Sequence, residues 1–277
     1  MAVTRSTALL VVLAALVALP AFAQTPFHEA TGYGFAGVSV DETASYHNPA
    51  GLPLLETFGM NVSPWPSRAS LNAVIDGPEG YNEFSAFYAG RDSDRASGWG
   101  AGYISAENGF DEDSFSLGYG QRAGENLTIG ASIFYQSLEF EANPVQAGGD
   151  DDTLSVDLGA MYRRQIALND WRFGLWLEDI SDEYGGPFVQ VGAAVQLPAG
   201  VEIGATLWDL TDEHDTWLGL GVEWDVPNSG LILRGGAADG DLSLGAAYQF
   251  TNFEVGLSFA DTDGSDDFIT AGVTGSF

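Results

Sequence analysis

The sequence predicts an all-β protein, a transmembrane antiparallel β-barrel of about 14 strands (12 to 14) with an N-terminal plug or hatch segment. Three observations predict it. The chain begins with an export signal, its later part alternates apolar with small or polar residues, and it is rich in glycine and aromatic residues. Exported, helix-poor chains with this alternation are typical of outer-membrane barrels. A secreted β-sandwich or β-helix is the soluble alternative.

Residues 1–23 have the features of a cleaved signal peptide. Arg5 supplies a positive charge, the stretch from Leu9 to Leu19 is apolar, and Ala21-Phe22-Ala23 has the small-x-small form of a cleavage site. The apolar stretch is too short to cross a bilayer as a helix. We therefore predict that the mature chain begins at Gln24 and is exported to the cell outer membrane.

The charge balance of the chain is strongly acidic. Nine basic residues, all arginine, stand against 39 acidic residues, which gives a net charge of −30. This balance excludes nucleic acid as a partner, because almost nothing in the chain can neutralise phosphates. We attribute the acidic excess to halophilic adaptation, in which a charged surface keeps proteins soluble in concentrated salt.

Residues 69–277 are predicted to form the barrel. Without cysteine, an exported chain must be stabilised by packing or by closure of the sheet. Segments of about ten residues alternate between two faces, which is the strand pattern at the length a tilted strand needs to cross a membrane. The predicted strands are 69–75, 83–90, 98–106, 113–122, 126–140, 153–167, 170–178, 188–197, 200–209, 215–225, 229–238, 241–250, 252–260 and 267–277.

The connections between these strands fall into two sets that differ in charge. Together with the acidic residues at the adjoining strand ends, one set, at 76–82, 107–112, 141–152, 179–187, 209–214, 239–240 and 261–266, holds most of the acidic residues and no arginine. We predict that this set is extracellular and that the other, mostly shorter set is periplasmic. Tryptophans near the strand ends are expected in interfacial girdles: Trp65, Trp99, Trp171, Trp208 and Trp224.

The face opposite the apolar residues is predicted to line the lumen. It is rich in glycine, which leaves two explanations open: tight curvature of a small barrel, or room for an internal plug or an apolar ligand. Charged residues on this face should pair or be hydrated, and Glu223 and Arg234 are placed for a cross-strand pair. The predicted lumen charges are Asp157, Arg163, Arg172, Glu178, Glu202, Glu223, Arg234 and Glu254.

Motifs for catalysis are lacking, so the chain is not expected to be an enzyme. It contains no GxSxG, no HExxH and no cysteine nucleophile. Asp212 and His214 form an acid–histidine pair in one predicted loop, which we interpret as a solvated acidic loop. No cofactor is expected.

One acidic loop is a weak candidate for a metal site. Asp261, Asp263, Asp266 and Asp267 resemble the start of a calcium loop, but the distal glutamate that would complete it is missing. A salt-adapted surface is the alternative explanation for this cluster.

The predicted plug, residues 24–68, carries two motifs ahead of the strands: Gly34-Phe35-Ala36-Gly37 and Asn48-Pro49-Ala50-Gly51-Leu52. With the terminal Phe277, this pattern resembles the FadL-type long-chain fatty-acid channel superfamily, including its PorV-like relatives in protein secretion. The resemblance implies a barrel of about 14 strands whose N-terminal segment folds back inside as a hatch.

The resemblance also implies a function. It implies passive uptake of hydrophobic, fatty-acid-like small molecules, with outer-membrane lipids around the barrel. The chain is short for a fatty-acid channel, so the alternative is a PorV-like, non-transporting barrel that acts as a scaffold for a secreted protein partner.

The residues of the second motif also predict its local structure. Pro49 fixes its own φ, Gly51 permits a sharp bend, and Asn48 can bond its own backbone, so the motif is expected to form a rigid turn. The leucines that follow it, at positions 52, 54 and 55, are expected to anchor the segment against the inner wall. His28 and His47 have no nucleophile or metal partner nearby in the sequence.

Overall fold

The computed structural model describes residues 27–28, 31, 33–58, 65–77, 81–107, 110–140, 149–181, 187–211, 216–261 and 267–277. The predicted signal peptide, residues 1–23, lies outside this part of the chain. Among the described residues, no helix is both long and apolar enough to cross a bilayer.

Short 3-10 helices occupy Ala36–Val38, Glu42–Ser45 and Pro49–Leu54. The strands are β1 (Ser67–Asp76), β2 (Asn82–Arg91), β3 (Ser97–Glu107), β4 (Phe110–Arg122), β5 (Leu127–Phe140), β6 (Gly149–Ile166), β7 (Asn169–Glu178), β8 (Phe188–Leu197), β9 (Val201–Trp208), β10 (Trp217–Asp225), β11 (Leu231–Ala238), β12 (Asp241–Gln249), β13 (Phe253–Asp261) and β14 (Phe268–Ser276).

The fourteen strands of the described chain close into one antiparallel barrel. Each strand pairs with its neighbours in sequence, and β14 pairs with β1. This closure confirms the predicted antiparallel barrel of 14 strands. The strand bounds agree with the prediction to within a few residues; β4 and β6 begin earliest relative to it, at Phe110 and Gly149. The sequence predicts loop there because these residues are acidic, but β5 is long enough to pair with both strands over their full length.

The barrel has two rims, one at each end of its strands. The terminal rim holds Ser67 and Ser276, where β1 begins and β14 ends, and its hairpin connections span 92–96, 123–126, 167–168, 198–200, 226–230 and 250–252. The distal rim is the opposite one. One of its connections is the two-residue turn Asp239-Gly240, in which both residues have positive φ, 50° and 102°. Asp-Gly is the pair that such a tight hairpin turn favours.

The outer surface of the barrel is apolar. Side chains alternate along each strand, so Leu244 is 65% exposed whereas its neighbour Ser243 is 6% exposed. Leu117 and Leu257 are also more than half exposed. A continuous apolar surface of this kind is unstable in water and suits contact with lipid. The exterior therefore confirms the two faces that the sequence predicts.

The tryptophan prediction is correct in part. Trp65, Trp99 and Trp224 are exposed on the outer surface, by 59%, 45% and 41%. Trp208 was expected in the same girdle, but it is only half-exposed and packs against Trp176 and Trp217. It shares the strand face of Thr206, which is fully buried, so it points into the barrel.

The described part of residues 27–56, which we call the N-terminal segment, lies inside the barrel. Leu52 is fully buried, and it clusters with Leu55 and Ala89 of β2. A second cluster joins Phe35 and Leu54 to side chains of β6 and β8. The hydrophobic core thus lies between the segment and the inner wall, and the predicted anchoring by the leucines is present.

Glycines on the inner wall let the segment approach the strands at backbone distance. A Cβ built on Gly192 of β8 would lie 2.9 Å from the Cα of Gly37, and one built on Gly174 would overlap the carbonyl oxygen of Gly37. Real Cβ atoms essentially never come this close to another atom. The same conflict with the segment recurs on every strand from β3 to β10: at Gly98, Gly100, Gly120, Gly130, Gly159, Gly174, Gly192, Gly204 and Gly221. Of the two explanations for the inner glycines, the structure therefore supports room for an internal segment.

We predict that Gly174→Ala loosens the N-terminal segment and lowers the free energy of unfolding by about 3 kcal/mol, as expected for overpacking of a tight site. The matched control is Gly235→Ala on β11, whose added methyl group would meet its nearest neighbour at an ordinary 3.6 Å. Limited proteolysis and urea unfolding in detergent would measure both effects. Equal rates of proteolysis and equal free energies of unfolding for the two variants would contradict the close approach of the segment to Gly174.

Candidate functional site

The candidate site is the barrel interior, and its centre is the motif that begins at Asn48. Asn48 caps the 3-10 helix Pro49–Leu54: its Oδ1 accepts a hydrogen bond from the N–H of Ala50 at 3.1 Å. Its Nδ2 donates to the carbonyl of Gly37 at 2.8 Å. The predicted bond of Asn48 to its own backbone is therefore present. The second bond, which the sequence does not indicate, ties the two motifs of the segment together.

Gly51 has a different role from the predicted one. It lies within the 3-10 helix and is not among the described glycines with positive φ, which are Gly200, Gly230 and Gly240. A Cβ at Gly51 would instead overlap the carbonyl oxygen of Ser39. Close approach of two turns of the segment, rather than a sharp bend, therefore requires glycine at this position.

Side chains of the wall satisfy polar groups of the segment. Thr206 on β9 accepts a hydrogen bond from the N–H of Gly37 and donates one to the carbonyl of Gly34. Thr128 on β5 donates to the carbonyl of Ala50 at 2.7 Å. Buried backbone groups need such partners, so these threonines fix where the segment can lie. Sequence analysis missed them; their position on the glycine-bearing face is the signal that points to them.

Arginines near the terminal rim hold the segment through ion pairs and carbonyl bonds. Arg68 pairs with Glu42 at 2.8 Å, and Arg163 pairs with Glu56 at 3.1 Å. Arg91 donates to the carbonyl of Leu55 at 2.7 Å. The sequence does not indicate that these arginines contact the segment.

The predicted lumen charges all lie on the inner face, and most are paired. Arg234 bonds Glu223 at 2.7 Å and Glu254 at 2.8 Å, so the predicted cross-strand pair of Glu223 and Arg234 is present. Arg172 pairs with Glu202. Near the distal rim, Asp157 accepts bonds from the Ser132 hydroxyl and the Asp179 N–H, and Glu178 accepts one from Gln190 at 2.6 Å.

The two candidate histidines lie in the segment and bond within it. His28 Nε2 lies 2.8 Å from the Thr43 hydroxyl and 3.3 Å from Asp41 Oδ2, and its ring centroid is 4.3 Å from that of His47. Burial lowers the pKa of His47 well below its usual range, so that ring is neutral. Burial alone would raise the pKa of Asp41, but the adjacent His28 and Arg68 hold it well below its usual range. This arrangement is a structural lock between turns of the segment.

A row of large inward side chains lies on the distal side of the segment. Trp176 on β7 faces Gln190 on β8, and Trp208 on β9 faces Trp217 on β10. Val191 pairs with Leu207, which puts Gln190 level with Trp208. The four residues therefore form one layer across four strands, which we call the tryptophan tier. His47 of the segment packs against Trp176, with 6.0 Å between ring centroids.

Comparison with solved structures relates this geometry to known barrels. The structure is similar to the Ralstonia pickettii toluene transporter TbuX, with a TM-score of 0.60 at 13% identity over 94% of this chain and 98% of that chain. The Pseudomonas putida toluene transporter TodX gives a TM-score of 0.59 at 13% identity over 92% and 98% of the two chains. A Pseudomonas aeruginosa FadL homologue gives 0.54 at 11% identity over 93% and 98%. The chain has the fold of a FadL-type barrel. No family model and no curated protein matches the sequence.

The remaining candidate residues come from two predicted acidic loops. Asp212, His214, Asp263 and Asp266 fall outside the described residues, while Asp261 ends β13 and Asp267 precedes β14. Within the described ranges, no group of three or more acidic or histidine side chains is placed to hold a metal ion. The calcium and loop interpretations stay predictions.

We predict that Asn48→Ala destabilises the docked segment by about 2 kcal/mol, because it removes a helix cap and leaves the Gly37 carbonyl without its donor. Asn48→Asp is the sharper test. It retains the capping oxygen but replaces the donor with a carboxylate facing the carbonyl oxygens of Gly37 and Leu175. We expect it to be at least as destabilising as Asn48→Ala, by urea unfolding at neutral pH. Wild-type stability of Asn48→Asp would show that only the cap matters.

Proposed function

We propose that this protein is an outer-membrane channel for passive uptake of hydrophobic small molecules. The observation that carries the proposal is the pairing of a lipid-facing closed barrel with a lumen occupied by its own N-terminal segment. An aqueous pore needs an open polar lumen, whereas here the segment contacts the inner faces of β3 to β10. A tier of aromatic side chains lies on the distal side of the segment and offers an apolar surface to a solute.

The location and orientation follow from the same features. The exposed apolar side chains require a lipid environment, and a cleaved signal peptide at residues 1–23 would bring the chain to the outer membrane. We propose that the terminal rim, where the arginines anchor the segment, faces the periplasm. The acidic distal rim then faces the outside.

The N-terminal segment is the proposed hatch, with Asn48-Pro49-Ala50-Gly51-Leu52 at its centre. Ion pairs tie Glu42 and Glu56 of the segment to wall arginines. The stretches on either side of Glu42 are held by close approach to wall glycines. A compound crossing the barrel must pass or shift the segment, so we propose that the segment sets permeability.

The substrate class is drawn from chemistry and from the structural neighbours. Two of the similar structures are named as toluene transporters and one as a FadL homologue. A fatty-acid-like compound and a monoaromatic one are both hydrophobic and both suit the aromatic tier. The alternative is a PorV-like scaffold for a secreted protein, which the acidic distal rim would favour as a charged docking surface.

We expect liposomes that contain the purified protein to equilibrate labelled fatty acid or toluene faster than empty liposomes. We also expect planar bilayers to show no steady ion conductance from the wild-type protein, because the segment occupies the lumen. Deletion of residues 27–56 should open a conductance, and Gly174→Ala should raise apolar flux in a chain that still contains the segment.

The control is Gly235→Ala, which leaves the inner wall unchanged and should match the wild type in both assays. No flux of any apolar compound, together with a secreted protein that co-purifies, would contradict the channel and support the scaffold. Unchanged permeability after deletion of the segment would remove its role as a hatch.

A further inference from the structure

We propose that the tryptophan tier is a binding site for a small apolar compound that carries a hydroxyl group, of which simple phenols are the plainest example. The proposal rests on the proposed uptake function and narrows its substrate class. It starts from the four residues already placed on one layer of β7 to β10: Trp176, Gln190, Trp208 and Trp217.

Three buried polar atoms of the tier lack a hydrogen-bond partner among the described residues. They are Nε1 of Trp176, Nε1 of Trp208 and Oε1 of Gln190. Trp176 and Gln190 are each 1% exposed. An unpaired buried polar atom costs about 1 to 3 kcal/mol. Three such atoms on one layer, on adjacent strands, indicate that something other than the protein supplies their hydrogen-bond partners.

The chemistry of the three atoms selects the ligand group. Two of them are N–H donors and one is a carbonyl acceptor, and a single hydroxyl, with two acceptor lone pairs, can accept from both indoles and donate to the amide. A hydrocarbon does neither. A carboxylate only accepts, and it would also approach Glu178, which receives the Gln190 Nε2 donor at 2.6 Å. In that bond Nε2 of Gln190 is the donor, which leaves Oε1 as the unpaired acceptor.

The surroundings of the tier suit an apolar, flat body. Trp208 and Trp217 stack at 4.7 Å with an interplanar angle of 8°, and Trp176 meets Trp208 edge-on at 6.1 Å. Tyr33 of the segment meets Trp208 at 6.2 Å and 90°. The tier therefore offers a flat ring both stacked and edge-on contacts, the two arrangements that aromatic pairs prefer. Tyr33, Trp208 and Trp217 are only half-buried, so the tier is accessible on one side.

The position of the tier fits an entry site. Tyr33 and His47 of the N-terminal segment form its floor, and the four tier residues lie at the distal ends of their strands. A compound that enters at the distal rim therefore reaches the tier before it reaches the glycine-lined path of the segment.

The test compares phenol with toluene, two rings of similar size that differ in a hydroxyl and a methyl group, for binding to the purified full-length protein by calorimetry. The measured quantity is the ratio of the two affinities, because the compounds differ in hydrophobicity before any protein is added. Trp176→Phe and Trp208→Phe should each lower the ratio of phenol to toluene affinity about tenfold relative to the wild type, the loss of about one hydrogen bond. Trp224→Phe, on the outer surface of β10, is the matched control and should leave the ratio unchanged.

The outcomes separate this inference from the uptake function. If both compounds bind and cross liposomes but the ratio is the same in all variants, uptake stands and the hydroxyl site is overturned. A crystal structure with phenol that shows only water at the three atoms would overturn it as well. If neither compound binds or crosses, the uptake function fails and this site fails with it.

Discussion

The structure depends on the absence of side chains along one path over the inner wall. Where the N-terminal segment crosses β3 to β10, wall and segment meet at backbone distance, and a single Cβ at Gly174 or Gly192 would fill the gap. Contact this close buries peptide groups that need partners. Thr206, Thr128 and Asn48 supply them. Glycine positions, threonine positions and the course of the segment are therefore one constraint.

The lumen of the barrel also holds many charged side chains. The barrel carries its apolar side chains outside, so the interior stabilises the fold through pairing as well as through hydrophobic burial. Arg234 is bonded by two glutamates, and Glu42 and Glu56 of the segment each have an arginine partner. Breaking one partner of a buried pair is costly because it leaves the other charge uncompensated. The pairs thus fix the segment at Glu42 and Glu56, and the glycines fix the stretches on either side of Glu42.

Sequence periodicity predicted the barrel well because strand parity and turn residues are local signals. Parity also indicates the inner face for Trp208, which alternates in step with Glu202 and Thr206, although its position near a strand end is typical of a girdle residue. The tryptophan tier was not predictable: its alignment depends on the register of β7, β8 and β9. The role of Gly51 was equally hidden, since the lack of a side chain does not reveal which group, here the Ser39 carbonyl, occupies the space.

The interior divides into two chemical zones along the barrel axis, and the division bears on direction. Near the terminal rim Arg68, Arg91 and Arg163 are bonded to acids or carbonyls, so they have little capacity left to hold an apolar solute. Near the distal rim the indoles of Trp176 and Trp208 keep unused donors among the described residues. A solute therefore gains contacts at the distal zone and few in the terminal zone. Such a profile suits the proposed uptake, because a site that held the solute tightly at both ends would slow its exit.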